Sequence, residues 1–232
     1  MKTRRRTGSA ARRAPPGPKP GLTRSAVVEA ALAIADAEGL EGVSMRRIGG
    51  ALGVAPMGLY RYFANKNALL GALYDAALGG YDPRAHARGD WRARLASAFG
   101  WFRRALVSHP AVLPLAARHA GIGQTSDRIS EHVLALLREV AVDDAEAARA
   151  FFALVGYVVG FAILEHAALG QRRAAGIADA DEWLRLSRLR FEALPKSEYP
   201  SLVATAEHIG SYWTDAQFED GLGRLLDSVR PR

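Results

Sequence analysis

Residues Ser44–Lys66, SMRRIGGALGVAPMGLYRYFANK, leave the chain few folding options. Ser44 is an N-cap residue type, Val43 and Ile48 occupy the two positions of a hydrophobic staple, and Gly53 follows Leu52 where a helix can stop. Pro56 suits the first turn of a second helix, which reaches Phe63. The spacing predicts a helix-turn-helix: a bracing helix, a sharp turn, and a second helix free to enter a DNA major groove. No acidic residue occurs between Glu41 and Asp75, while Arg46, Arg47, Arg61 and Lys66 are cationic, a bias that suits a phosphate backbone.

The same start and stop devices recur along the chain, and the alternation of a half-buried strand is absent, so the fold class is all-α. Thr23 caps a helix over about Arg24–Glu38, with Leu22 and Val27 as its staple, Gly39 as its stop and Val27, Ala31, Ile34 and Ala35 as its buried stripe. A fourth helix begins after Asn65 and ends at Gly79-Gly80. The stretch Gly79–Asp90 reads as a domain boundary. Beyond it come helices over Trp91–Ser108, from Pro110, over about Asp127–Val140, from Asp143 to Leu169, and over about Glu182–Leu194. Thr214 and Gln217 form a capping box for the last helix, with Trp213 and Phe218 as its staple. The expected organisation is a basic arm at 1–20, a three-helix DNA-binding domain at 21–80 and a larger helical bundle at 81–232.

The formal charge of +7 is misleading as an average. Of the 31 basic residues seven lie in 1–20 with no acid, leaving 24 against 24 acidic ones. The arm, with four prolines and almost no large apolar side chain, reads as disordered. It is either a non-specific DNA contact or a dispensable extension. Its prolines stand where a secretory signal would need an apolar core. With no cysteine the chain has neither disulfides nor thiolate metal sites, which fits a cytoplasmic location. The apolar run Ala150–Leu164 is shorter than the ~18–20 residues of a membrane span and reads as a buried helix, so no membrane is expected. The six histidines form no His-x-x-x-His pair, and phosphate loops and nucleophile elbows are missing. The expectation is no catalytic residue, no metal and no cofactor.

The stretches LTRSAVVEAALAIADAEGL and GVSMRRIGGALGVAPMGLYRYFANKNALL, with the spacing of Gly53, Leu59-Tyr60, Phe63 and Lys66, resemble the tetracycline-repressor family of bacterial transcription regulators. WRARLASAFGWFRRALVSHP and FEDGLGRLLDSV carry a weaker likeness to its C-terminal domain, which implies a helical ligand-binding and dimerisation unit. By position, the resemblance implies that Ser44 and Arg46 open the bracing helix, contact the DNA backbone and offer an arginine to a base edge. Pro56, Met57 and Gly58 lie at the start of the recognition helix, with Met57 suited to a thymine methyl. Gly58 departs from the small hydroxyl residues common there and lacks their phosphate hydrogen bond. Tyr60, Tyr62 and Lys66 are placed for phosphates. Leu59 and Phe63 read as core, and Arg47 and Arg61 as solvated.

In the C-terminal region Trp101, Phe102, Phe151, Phe152, Tyr157 and Phe161 supply aromatic surface for an effector cavity, although aromatics at helical spacing are more often core. Gly156 and Gly160 would allow close helix approach. With Phe218, Leu222 and Leu225 of the last helix they suggest a two-fold four-helix interface; packing within one subunit is the other reading. Glu165-His166 suggests an interface hydrogen bond. The expected function is a homodimeric, ligand-released repressor on a palindromic double-stranded DNA operator, with an unidentified small-molecule effector. Two alternatives remain at this point: an all-helical binder or enzyme with a vestigial module, and an arm-driven architectural DNA binder.

Overall fold

The computed structural model describes residues 22–119, 123–210 and 213–229, with the side chains of 117–119 excepted. The basic arm therefore lies outside the described residues. All regular structure described is helical, and the chain divides into two compact units, one ending at Leu69 and one beginning at Leu70. The division falls inside a helix, whereas the sequence suggests a boundary at the later Gly79–Asp90 loop.

The first unit holds α1 (Arg24–Gly42), α2 (Met45–Leu52) and the start of α3 (Lys66–Ala77). Thr23 Oγ1 accepts from Ala26 N at 3.1 Å, capping α1 as its sequence predicts. Val27, Ala31, Ile34 and Ala35 form the buried stripe of α1, closing on Ile48, Leu59 and Phe63 to make the small core. Gly39 has φ +75°, which breaks the helical dihedrals of α1 near its end.

The second unit contains α4 (Trp91–Ser108), α5 (Leu113–His119), α6 (Gln124–Val140), α7 (Asp144–Ala174), α8 (Ala180–Glu192), the short α9 (Pro200–Ala204) and α10 (Ala206–Ile209), and α11 (Asp215–Asp227). α7 is the axis, packing against α4, α6 and α11. Asp143 caps it and Asp144 and Glu146 sit in its first turn, the favourable end for negative charge. Leu154, Val158, Phe161 and Ala162 face inward, whereas Phe152 is 72% exposed and Ile163 and Leu164 are open to solvent. The apolar run is therefore buried on one side only, which corrects the expectation of a buried helix. At 31 residues, α7 is also long and apolar enough by length and composition to cross a membrane.

α4, α7 and α11 are tied by one arginine. Arg103 Nε and Nη2 each donate to the Glu165 carboxylate at 2.7 Å, and Nη1 donates to Asp215 Oδ1 at 2.7 Å. Its guanidinium lies over the rings of Phe161 and Phe218. Glu165, expected at an interface between subunits, is thus occupied within the chain.

A second polar cluster surrounds Tyr81. Its ring stacks on His86 and meets the edge of Trp101, and its hydroxyl bonds His132 Nδ1. His86 Nδ1 pairs with Ser97 Oγ at 2.8 Å, while its Nε2 is buried with no hydrogen-bond partner among the described residues. Burial holds both histidines below the ordinary 6.5, reinforced at His86 by His132 and Arg104 against Asp82, and at His132 by Arg94 against Glu139. Below about pH 6.5 the unfolded chain then binds more protons than the folded one. Stability is intact above that pH and falls as the pH drops through it. The thermal midpoint is expected to be lower at about pH 5 than at pH 7.5, and His86→Gln should shrink the difference. Equal midpoints for the parent chain would contradict this reading.

Candidate DNA-binding surface and effector cavity

The turn of the helix-turn-helix is built by two glycines. Gly53 adopts the left-handed conformation, φ 65°, and closes α2 with its N–H toward Gly49 and Gly50 carbonyls. Gly49 is buried against the following loop; a Cβ there would stand 2.8 Å from the Val54 carbonyl oxygen. Gly53 is marked in the sequence by its position after Leu52, but no local signal marks Gly49, whose role depends on a close approach by a residue several positions later. Ser44 Oγ accepts from Arg47 N at 3.2 Å, so the hydroxyl expected at DNA also caps α2.

The second helix is shorter than its sequence suggests. Only Pro56–Leu59 is helical, as a 3₁₀ turn followed by bonds from Tyr62 N and Phe63 N to Leu59 O. Gly58 disfavours a longer α-helix, and Asn65 Oδ1, accepting from Ala68 N, already starts α3. The tight turn still does what the motif needs: Leu59 and Phe63 go into the core, while Met57 is 79% and Tyr60 48% exposed.

One concave surface collects most of the expected contacts. Ser44, Arg46, Pro56, Met57, Tyr60 and Lys66 line it together with Val43, Met45 and Leu69. Arg46 is exposed and makes no ion pair among the described residues. Arg47 is bound instead to Glu38 on α1, its Nε at 3.1 Å from Oε1, and holds that carboxyl below its usual range by hydrogen bonding and charge. Tyr62 is not on this surface. Its hydroxyl donates to the Leu22 carbonyl and receives Arg61, whose guanidinium also covers its ring, so it fastens the start of α1.

Gly58 is exposed, and a Cβ built there meets nothing within 4 Å. Gly58→Ser is therefore expected to fold normally and to strengthen binding to a cognate duplex by about 0.5–1.5 kcal/mol through one new hydrogen bond to phosphate. Fluorescence anisotropy titration checks it; unchanged affinity would remove Gly58 from the contact surface.

The second unit contains a largely apolar cavity of about 180 Å³. Tyr74 and Leu78, Phe99 and Phe102 of α4, Ser126, Ser130 and Val133 of α6, and Phe151, Phe152 and Val155 of α7 line it. Of the aromatics expected at an effector site, Phe102, Phe151 and Phe152 are on its wall. Trp101 belongs to the Tyr81 cluster, while Tyr157 and Phe161 pack against Phe218 of α11. Tyr157 also donates to the Phe218 carbonyl at 3.1 Å. Ser126 and the clamp on it were missed: Asp75 Oδ1 accepts from Thr125 N at 2.9 Å and Ser126 N at 3.1 Å. No local sequence signal brings residues 75 and 126 together. Of the residues expected at a subunit interface, Gly156 and Gly160 have open space where a Cβ would stand. Phe218 and Leu222 are buried within the chain, and Leu225 is half-buried.

A capped bracing helix, a glycine turn and an exposed Met57–Tyr60 tip, followed by a helical unit with an apolar cavity, define a helix-turn-helix regulator of the ligand-binding kind. Residues 27–73 match the family of bacterial regulatory proteins called the tetR family, and residues 82–232 match the tetracyclin repressor-like C-terminal domain. The chain belongs to the tetracycline-repressor family and is a DNA-binding transcriptional regulator. It is 35% identical over 223 residues to the HTH-type transcriptional repressor DrrR1 of Streptomyces coeruleorubidus, covering 94% of this chain and 81% of that protein. It is 31% identical to the class A tetracycline repressor from transposon 1721 of Escherichia coli, covering 91% and 92% of the two chains. Among solved structures it is similar to ActR of Streptomyces coelicolor in complex with actinorhodin, with TM-score 0.74 and 28% identity over 90% of this chain and 96% of that one.

Proposed function

We propose that the chain is a homodimeric repressor that binds a palindromic operator and is released by a small molecule held in its C-terminal unit. The observation that carries the reading is the concave surface joining Ser44, Arg46, Pro56, Met57, Tyr60 and Lys66, which offers a guanidinium with no ion pair among the described residues, an ammonium and an apolar tip to a groove. Arg46 reads a base edge, while Ser44, Tyr60 and Lys66 meet phosphates. Tyr62 acts in positioning α1.

Dimerisation is supported by the open apolar face of α7, where Gly156 and Gly160 stand between Phe152 and Ile163. A single motif contacts too little DNA for tight binding, whereas a two-fold pair reaches half-sites about 34 Å apart. Leu225 and the exposed side of α11 complete the four-helix contact. Effector control is supported by the cavity, and by the complex of the similar ActR with actinorhodin. α3 gives a physical route, since Lys66 begins it and Tyr74, Asp75 and Leu78 meet the cavity or its clamp at or beyond its far end. A coupling of ~1–3 kcal/mol would relieve repression 5–150-fold. The protein works in the cytoplasm by binding, without catalysis or cofactor.

In vitro selection of bound DNA from a random pool tests this reading, followed by sedimentation of the complex and a screen for compounds that release it. The expected result is a palindromic duplex, two chains per site and at least one releasing compound. Selection of no preferred sequence would overturn it in favour of arm-driven, non-specific binding.

A further inference from the structure

The wall of the cavity changes character from one side to the other. Phe99 and Phe102 of α4 are buried, whereas Phe151 of α7 is half-buried and Phe152 is 72% exposed. The two buried rings therefore line the inner side. The Phe151–Phe152 pair, edge to face with centroids 5.5 Å apart, stands where the cavity meets solvent. A void of about 180 Å³ is costly to keep. Protein interiors are packed as densely as organic crystals, and wall atoms that face empty space forfeit their dispersion contacts.

The polar groups that border this void have little to offer a ligand. No lysine, arginine, histidine or carboxylate is among the described residues lining it. Ser126 Oγ is itself buried, and Tyr74 is 1% exposed, its phenol pushed up to about 12 by burial. A charged ligand would lose its hydration there and find no opposite charge. A hydroxyl carried in between Phe99 and Phe102 would give up its bonds to water for contact with hydrocarbon. Apolar cavities of about 150 Å³ stay dry and take up benzene, and this one is slightly larger and open on one side.

We infer that the cavity takes an uncharged, hydrocarbon-like molecule of one or two fused rings, held by apolar contact with Phe99, Phe102 and Phe151 and not by a polar anchor. Rings on the wall favour rings in the ligand, stacked or edge-on. The inference rests on the reading of the second unit as the effector-binding part and names the chemistry it selects.

Ligand fluorescence titrations of the full chain, without DNA, test it with 2,6-dimethylnaphthalene, 2,6-dihydroxynaphthalene and naphthalene-2,6-disulfonate. The three share one ring shape, and each carries the same group at both ends, so whichever end enters takes its substituent to the inner side. The dimethyl compound is expected to bind about tenfold or more tightly than the dihydroxy compound, the cost of a buried hydroxyl left without a partner. The disulfonate should not compete. Val155→Trp fills the cavity from α7 and Ser130→Trp fills it from α6; both positions are half-buried. Each should weaken dimethylnaphthalene at least about tenfold with the helical circular dichroism unchanged. Equal or tighter binding of the dihydroxy compound, effective competition by the disulfonate, or no binding of dimethylnaphthalene up to its solubility would each overturn the inference. Full affinity in a folded filling variant would do so too, by putting the ligand elsewhere. Release of a selected duplex is measured separately. Binding of dimethylnaphthalene in the cavity with the DNA complex intact would sustain this inference and count against ligand release. Release by charged compounds alone would do the reverse.

Discussion

Arg46→Ala is expected to lower affinity for the selected operator by on the order of 30-fold or more, with no change in helicity, dimerisation or thermal midpoint. The side chain is exposed, unpaired among the described residues, and sits beside Met57, Tyr60 and Lys66 on one surface. A bidentate arginine–base contact is worth ~1–3 kcal/mol, and a two-fold complex loses it at both half-sites. Because Arg46 is exposed and makes no ion pair among the described residues, its removal is expected to leave the fold intact. Its neighbour provides the control. Arg47 is held by Glu38 between α1 and α2, an exposed pair that solvent screens, so Arg47→Ala should cost little stability and little sequence preference. Anisotropy titrations against the selected duplex and a scrambled one separate the cases. Unchanged operator affinity in Arg46→Ala would sink the assignment of this surface, as would a loss that is equal on both duplexes for the base-reading role.

Arg103→Ala is expected to destabilise the second unit by ~3–5 kcal/mol, lowering its thermal midpoint by about 6–20 °C. Arg103 keeps 9% of its side chain exposed and Glu165 15%, so the substitution strands a carboxylate between α4 and α7 with nothing to replace the two guanidinium bonds. The cation also leaves the faces of Phe161 and Phe218. Asp215, by contrast, is 85% exposed, and Asp215→Ala should cost ~1 kcal/mol or less. The double change Arg103→Met with Glu165→Leu removes both charges and should recover much of the loss, since a buried ion pair is often replaceable by apolar volume. Circular dichroism melts distinguish the outcomes: a shift below about 2 °C for Arg103→Ala would mean that the pair contributes no more than a surface contact.

Much of the helical layout was legible because its signals are local. Thr23, Ser44, Asp143 and Thr214 cap within three residues of themselves, and the structure makes each of those bonds. α4 has the bounds Trp91–Ser108 that its sequence suggests. The recognition segment came out shorter because Gly58 and the next cap at Asn65 compete with an extended helix, a balance that motif spacing does not weigh. Tyr62 was placed at phosphate by its position, yet its hydroxyl reaches Leu22, a partner far away in sequence.

What the sequence by itself determined is the class of molecule: an acid-free, capped helix pair around a glycine turn can serve a DNA groove, and its residue types and spacing are enough to say so. What only the tertiary structure decided is which side chains remain available. Among the described residues Arg46 makes no ion pair while Arg47 is bound, Phe102 lines a cavity while Trp101 packs on Tyr81, and Ser126 is buried with its N–H held by Asp75. Helix propensity and capping act over a few residues, so they can be read along the chain. Burial, ion pairing and desolvation depend on groups brought together from distant positions, so they exist only once the helices have packed.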